Sequence, residues 1–254
     1  MRWPERCFVS RQDREEWAAK ISSDGEKLFV ATNFMKIKVL YEDVNILAIE
    51  KPSGILVHGD QRTKEKTILD LFLKKYPKIE LVHRLDKETS GVMLLAKNRK
   101  AHEFLKQQFA NREVKKTYIA IVNGWVKNDR GVINKPIGRS PKDFRRHLAG
   151  RGARGEMREA VTEYKILKRF FSQKEKFTYL EIKPKTGRTH QIRVHMKFLN
   201  YPVACDSLYN PNGPCPKGIS RLALHARSIE FKNLKGKIVK VESSVPAEFK
   251  KMIK

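Results

Sequence analysis

Val82-His83-Arg84-Leu85-Asp86-Lys87-Glu88-Thr89-Ser90-Gly91 sets a carboxylate at the end of an alternating segment, just ahead of a turn that closes on glycine. From Ile79 to Asp86 the alternation has the period of an extended strand. It puts Ile79, Leu81, His83 and Leu85 on one face and Val82, Arg84 and Asp86 on the other. Arg84 and Asp86 therefore point together. A carboxylate at a strand end beside a turn is exposed on a fixed backbone, which is where catalytic groups are often held. Taken alone, an Asp and Arg so placed are more often a structural ion pair, since such pairs are common and individually weak.

Outward from this stretch the chain reads as strands with a few helices. After Gly91 the apolar run Val92 to Ala96 predicts a buried strand, followed by a helix from about Arg99 to Ala110 with Ala101, Phe104, Leu105 and Gln108 near one face. Before it, Val39-Leu40-Tyr41 and Ile46-Leu47-Ala48-Ile49 predict two strands joined across Glu42-Asp43-Val44-Asn45. Lys51-Pro52-Ser53-Gly54 is a turn into Ile55-Leu56-Val57-His58, and Thr67 with Asp70 is a capping box for a helix through Lys75 that buries Leu69, Phe72 and Leu73. Further strands are expected at Thr117 to Val122, Ala160 to Leu167, Phe177 to Lys183 and Leu222 to Phe231, so the class is mixed α+β. Residues 1–37 are polar and weakly patterned, with one short helix around Glu15 to Ile21, and read as an extension. Residues 38–254 read as one catalytic domain built from two lobes.

Charge narrows the partner. The 254 residues carry 54 Lys and Arg against 28 Asp and Glu, a net charge of +26, which calls for a polyanion. With 40% hydrophobic residues the chain is no disordered basic tail. The most basic stretch, Lys135 to Arg158, holds Arg139, Lys142, Arg145, Arg146, Arg151, Arg154 and Arg158 among glycines and reads as a flexible loop facing nucleic acid. Cys7, Cys205 and Cys215 form no CxxC pair, so neither a disulfide framework nor a structural zinc site is indicated, and a reducing cytosol is the simplest compartment. No apolar stretch has the length of a signal-peptide core or a membrane span.

A second cluster, Thr186-Gly187-Arg188-Thr189-His190-Gln191-Ile192-Arg193-Val194-His195-Met196, opens with a turn and a Thr N-cap, after which Ile192, His195, Met196 and Leu199 follow helical spacing. Arg188 stands just before the helix N-terminus, beside backbone donors that favour anions, and offers a charge partner for Asp86.

Three other readings fail on context. Gly150-Arg151-Gly152-Ala153-Arg154-Gly155 matches GxGxxG, but a basic polar stretch precedes it where a dinucleotide fingerprint needs a buried strand. His83-Arg84 is displaced from its aspartate by Leu85 and lacks the lysine, DFG and glycine-loop companions of a kinase. His190 and His195, five apart, do not share a helix face and suit core or hydrogen-bonded roles better than metal ligation.

HRLDKETSG resembles the signature around the catalytic aspartate of RluA-type pseudouridine synthases. Lys51-Pro52-Ser53-Gly54-Ile55-Leu56-Val57-His58, GRTHQIRVHM and Arg221-Leu222-Ala223-Leu224-His225-Ala226 are similar to the family's other motifs, in family order over about residues 39–232. The resemblance implies a pseudouridine synthase-like fold: a mixed, largely antiparallel sheet in two lobes around a basic cleft. It implies that Asp86 is the nucleophile, that Tyr118 lies against the target base and that Arg188 pairs with the aspartate. It further implies that Arg84 helps hold the RNA open and that Leu222 lines the base pocket. It implies no metal and no organic cofactor, and a substrate that is ribosomal RNA or transfer RNA. A cytoplasmic monomer is expected. Cys205-Asp206 stands where the family usually has Gly-Asp, and no small N-terminal RNA-binding domain is recognisable. The rival from another class is a non-catalytic RNA-binding or ribosome-associated protein that keeps the scaffold, which a charge of +26 supports equally well through phosphate contacts. Intact Asp86, Tyr118 and Arg188 argue against it.

Overall fold

The hairpin expected at the start forms, with β1 (Lys38–Glu42) antiparallel to β2 (Ile46–Lys51). Its turn is fixed by Asp43, whose Oδ1 accepts the backbone N–H groups of Asn45 and Ile46, each at 2.7 Å. The computed structural model describes residues 37–59 and 65–252; the helix expected around Glu15 to Ile21 lies outside them. α1 (Ile68–Leu73) starts on Thr67 with the expected capping box. Ile68 is its fully buried residue, with Leu69, Phe72 and Leu73 half-buried against the same core.

β3 (Glu80–Leu81) is only two residues long, and Val82 to Asp86 continue without pairing. The expected alternation breaks at His83. Its Nε2 accepts the Leu94 N–H at 2.9 Å and its ring stacks on Phe109, so it turns to the Val82 side rather than joining Leu81 and Leu85. Desolvation pushes this imidazole down to about 3, which keeps it a neutral acceptor. β4 (Ser90–Ala96) is buried along its whole length, as its unbroken apolar run demands, and α2 (Arg99–Ala110) follows with the expected bounds, capped by Asn98.

The rest of the chain is β5 (Lys115–Asn123), β6 (Arg130–Asn134), β7 (Ile137–Arg139), β8 (His147–Ala149), β9 (Arg154–Arg158), β10 (Val161–Ser172), β11 (Glu175–Pro184), α3 (Gln191–Phe198), β12 (Leu224–Lys232), β13 (Ile238–Glu242) and α4 (Ala247–Lys250). The strands make a ten-stranded sheet in the order β1-β2-β4-β12-β5-β11-β10-β6, with β13 on β12 and β3 on β4. β4 with β12 is its parallel pair and the other pairings are antiparallel, so the mixed, largely antiparallel sheet is as expected. Alternate residues of β2 and β4 serve two cores. Ile46, Ala48, Val92 and Leu94 pack with Ala101 and Leu105 of α2, and Leu47, Ile49, Met93 and Leu95 pack with Ile68 of α1. A third core lies between β5, β11 and α3.

Residues 135–158 correct the expectation of a flexible loop, because β8, β7 and β9 form a separate three-stranded sheet there. Ile137 anchors it, buried with Ala160, Val194 and Tyr209. That one apolar residue is too little to show in the composition of so basic a stretch. Cys205 and Cys215 come close together, their Cα atoms 5.2 Å apart, because turns closed by Asn210 N–H on Asp206 O and Gly213 N–H on Asn210 O fold the loop back.

Gly91 makes the seam of the sheet possible. Its φ of 113° lies outside the range of L side chains, and a Cβ there would stand 2.2 Å from the carbonyl oxygen of Ala226, its partner across the parallel pair. Gly54, with φ 88°, has nothing within 4 Å of such a Cβ. Gly91→Ala is therefore expected to lower the unfolding free energy by about 3 kcal/mol or more, and Gly54→Ala by only about 1 kcal/mol, in urea unfolding of the two variants.

Candidate active site

Asp86 sits in a turn closed by Thr89 N–H on its carbonyl, and the segment 51–54 grips that turn from one side. Lys51 Nζ donates to Lys87 O at 2.9 Å and to Pro52 O at 2.8 Å, Gly54 N–H donates to the same Lys87 carbonyl, and Ser53 Oγ donates to Glu88 O at 2.6 Å. The two motifs so far apart in the chain are thus one structural unit. Lys51 is fully buried, and burial pushes its amine down to about 8 against the opposing pull of Asp86 and Glu88.

From the other side comes α3. His190, not a threonine, is its N-cap, in the left-handed region at φ 54° and with no side-chain cap bond. Three residues on, Arg193 is 5% exposed and grips Asp206 in a bidentate pair, Nε to Oδ2 and Nη2 to Oδ1 at 2.7 Å each. Its remaining Nη1 reaches Asp86 Oδ2 at 3.4 Å, and its guanidinium lies over the Tyr209 ring at 5.1 Å. Burial works against the Arg193 charge, but Asp206 and then Asp86 outweigh it and push the group upward. Asp206 also accepts the N–H groups of Leu208 and Tyr209. Cys205 has φ 57°, which gives the physical reason for the glycine usual at that position: the turn requires the left-handed region.

The side chain that reaches Asp86 is thus Arg193, where the sequence reading expects Arg188. Arg188 Nε donates to Glu159 O at 2.9 Å. Burial, then the neighbouring Arg158 and Arg112, push its pKa downward against the pull of Glu159 and Glu156. Tyr118, on β5 opposite Ala226 of β12 and Ile182 of β11, packs against two of the cores at once. Burial and then the charge of Asp86 push its hydroxyl upward, so Tyr118 stands within the field of the carboxylate. Leu222 is buried in the core on which Tyr118 packs, and Arg84 is exposed. Asp86 itself keeps 19% of its side chain accessible. Arg193, Asp206 and Lys51 are the residues sequence reasoning passed over. The signal for them was present, since Arg193 lies inside the second cluster and Asp206 beside the odd cysteine. Among the described residues no cluster of His, Cys, Asp and Glu is placed to hold a metal, and no helix is long and apolar enough to cross a membrane.

A basic protein that keeps a paired, partly accessible carboxylate beside the seam of a mixed sheet has the charge of a nucleic-acid binder and a group able to do chemistry. Its residues 45–198 match the family described as RNA pseudouridylate synthase. It is 35% identical over 236 residues to the uncharacterized RNA pseudouridine synthase YhcT of Bacillus subtilis, covering 90% of this chain and 75% of that one. It is 36% identical to ribosomal large subunit pseudouridine synthase D of Xanthomonas campestris, over 85% of this chain and 68% of that one. The human RNA pseudouridylate synthase domain containing 1 superposes with a TM-score of 0.71 at 25% identity, covering 83% of this chain and 84% of that one. The chain belongs to the RNA pseudouridine synthase family, and within it to the RluA type.

Lys51 gives the site a pH signature in stability. Its amine falls from 10.5 to about 8 on folding, so between those values the unfolded chain holds a proton that the folded chain has released. Stability attributable to Lys51 therefore rises with pH across that window, by on the order of 3 kcal/mol in all. Urea unfolding of wild type and Lys51→Met from about pH 7.5 to about pH 10 is expected to show the difference moving in favour of the wild type; a flat difference would mean that the amine is hydrated in the folded state.

Proposed function

We propose that this pseudouridine synthase acts with Asp86 as its nucleophile on a uridine taken out of the stack of a ribosomal or transfer RNA. The observation that carries the reading is the ion pair of Asp86 with Arg193, the carboxylate of which raises the pKa of the buried Tyr118 hydroxyl further than burial alone. An arginine anchored by Asp206 presents one free N–H edge, which fixes the carboxylate without covering it. In the reaction the bond from C1′ to N1 breaks, the uracil turns, C5 bonds to C1′, and the proton displaced from C5 is balanced by one gained at N1. Tyr118 replaces the stacking that the flipped base loses, Leu222 lines its pocket, and exposed Arg84 enters the space vacated in the RNA. Arg193 takes the pairing role, and Arg188, on a strongly basic chain, suits a phosphate contact.

The substrate class follows from chemistry and kinship together. A net charge of +26 draws in RNA through counterion release, and several relatives are named as ribosomal large subunit enzymes, which favours large-subunit ribosomal RNA over transfer RNA and a cytoplasmic location. Pseudouridine released from transcripts of both RNAs, incubated with wild type and Asp86→Asn, tests this. Wild type is expected to form product from ribosomal RNA, and Asp86→Asn none, while its salt-dependent RNA binding stays within about twofold. Tight binding by the wild type without product from either RNA would favour the non-catalytic scaffold. Arg193→Lys is expected to cut turnover by about a hundredfold and Arg188→Lys by less than about tenfold, with the larger loss in RNA affinity falling on Arg188→Lys in binding titrations.

A further inference from the structure

Beside the Asp86–Arg193 pair lies a polar chain that the reaction as described does not use. Tyr209, 5% exposed, accepts the backbone N–H of His147 at 2.9 Å. Its Oη stands 3.0 Å from His190 Nδ1, and the other ring nitrogen, Nε2, faces Asp86 Oδ1 at 3.9 Å. The Tyr209 hydroxyl keeps its own proton, since burial pushes it up to about 12. That proton has His190 Nδ1 as its acceptor. In the opposite tautomer Nδ1 would donate, and the buried tyrosine proton would have no acceptor shown among the described residues.

We propose that His190 is a positioning residue for Asp86, held by Tyr209 as the neutral tautomer that points its Nε2–H at Oδ1 while Arg193 holds Oδ2. This rests on the reading of Asp86 as the nucleophile. The two carboxylate oxygens are then addressed from two sides, one by a charge and one by a neutral donor. At 3.9 Å the histidine contact is longer than a hydrogen bond, and it tightens when the base enters and expels water. The placement explains why a residue with a side chain occupies φ 54° at the helix start. From that left-handed position the ring lies between Tyr209 and Asp86 and makes no cap bond to α3. The groups that face His190 are Asp86 and Arg193, Asp206 and Tyr209 behind them, and His147, whose ring packs edge-on at 5.9 Å. Burial, the largest influence, pushes the imidazole downward and outweighs the pull of Asp86, so the neutral form persists at neutral pH.

The test begins with the full chain as it is. Histidine side-chain 15N–1H correlation spectra at about pH 7.5 are expected to place the His190 proton on Nε2, and Tyr209→Phe to convert this signal into a mixture of tautomers. Single-turnover pseudouridine formation on large-subunit ribosomal RNA is expected to fall by about ten- to hundredfold in Tyr209→Phe and in His190→Asn, with RNA affinity unchanged. Asparagine tolerates the left-handed backbone, so His190→Asn keeps the helix start even if Tyr209→Phe folds poorly. His190→Gln, whose longer side chain carries its N–H further toward Asp86 than asparagine can, is expected to recover part of the rate. A wild-type proton on Nδ1, or wild-type rates in both Tyr209→Phe and His190→Asn, overturns the proposal. Absence of turnover in the wild type on ribosomal and on transfer RNA alike, with the Nε2 signal intact, overturns the assignment of Asp86 and with it the role given to His190.

Discussion

A guanidinium that is nearly sealed from water is tolerated only when anions complete its surroundings, and Arg193 has two. Asp206 takes the edge formed by Nε and Nη2, which leaves Nη1 for Asp86. Much of the site follows from that division. Asp206 is reached through the left-handed turn at Cys205, and its carboxylate gathers the N–H groups of Leu208 and Tyr209, which brings the Tyr209 ring against the guanidinium. Residues 186–209 are therefore one cooperative unit, finished by a carboxylate that arrives from elsewhere in the chain. Removing either acid would leave a buried charge partly unbalanced, and removing Arg193 would set two carboxylates facing each other.

The carboxylate arrives because of a topological requirement. Parallel strands cannot be joined by a hairpin, and between β4 and its parallel partner β12 the chain inserts residues 97–223, including β5, β10, β11 and α3. The crossover closes where Ser90 and Gly91 meet His225 and Ala226. Asp86 precedes the first of these strands and Arg193 lies inside the crossover, 107 residues away, so it is the closed crossover that brings them together. The seam is itself tied by polar groups: Ser90 Oγ bonds to His225 Nδ1 and accepts from Arg221, whose other nitrogens hold Glu248 of α4. Burial pushes His225 down to about 4, so the ring at the junction stays neutral.

What was legible in the sequence was whatever local periodicity and turn chemistry determine. β1, β2, β4, α2 and the Thr67 capping box follow from apolar spacing and cap residues, and they stand where those signals place them. β6 and β13 carry mixed side chains on exposed edges and gave no comparable signal. The setting of Asp86 at a strand end before a Gly-closed turn was legible through its motif, but that Arg193 would be the side chain to meet it was not. That pairing depends on the phase of α3, which starts at His190 from a left-handed backbone, uncommon in residues with a side chain and not announced by the helical spacing. The grip of Lys51 on Lys87 O likewise joins two turns 36 residues apart, which neither motif announces alone.

The basic sheet β7-β8-β9 is joined to this site by packing as well as by charge. Ile137 at its root shares a buried cluster with Ala160, with Val194, the neighbour of Arg193, and with Tyr209, whose hydroxyl holds the His147 backbone on β8. Above that cluster the sheet and its connections display Arg139, Arg145, Arg146 and Arg154, with Phe144 87% exposed among them. If the phosphates of an RNA seat on these arginines, the strands they load are those whose backbone fixes Tyr209, and through Tyr209 the ring of His190. A flexible loop of the same composition would supply the same attraction for RNA, since counterion release depends on charge and not on order. It would supply no fixed N–H for Tyr209. The order found in residues 135–158 is thus what sets the His147 N–H on the Tyr209 hydroxyl, a contact that charge alone would not make, and the buried Ile137 is what roots that order.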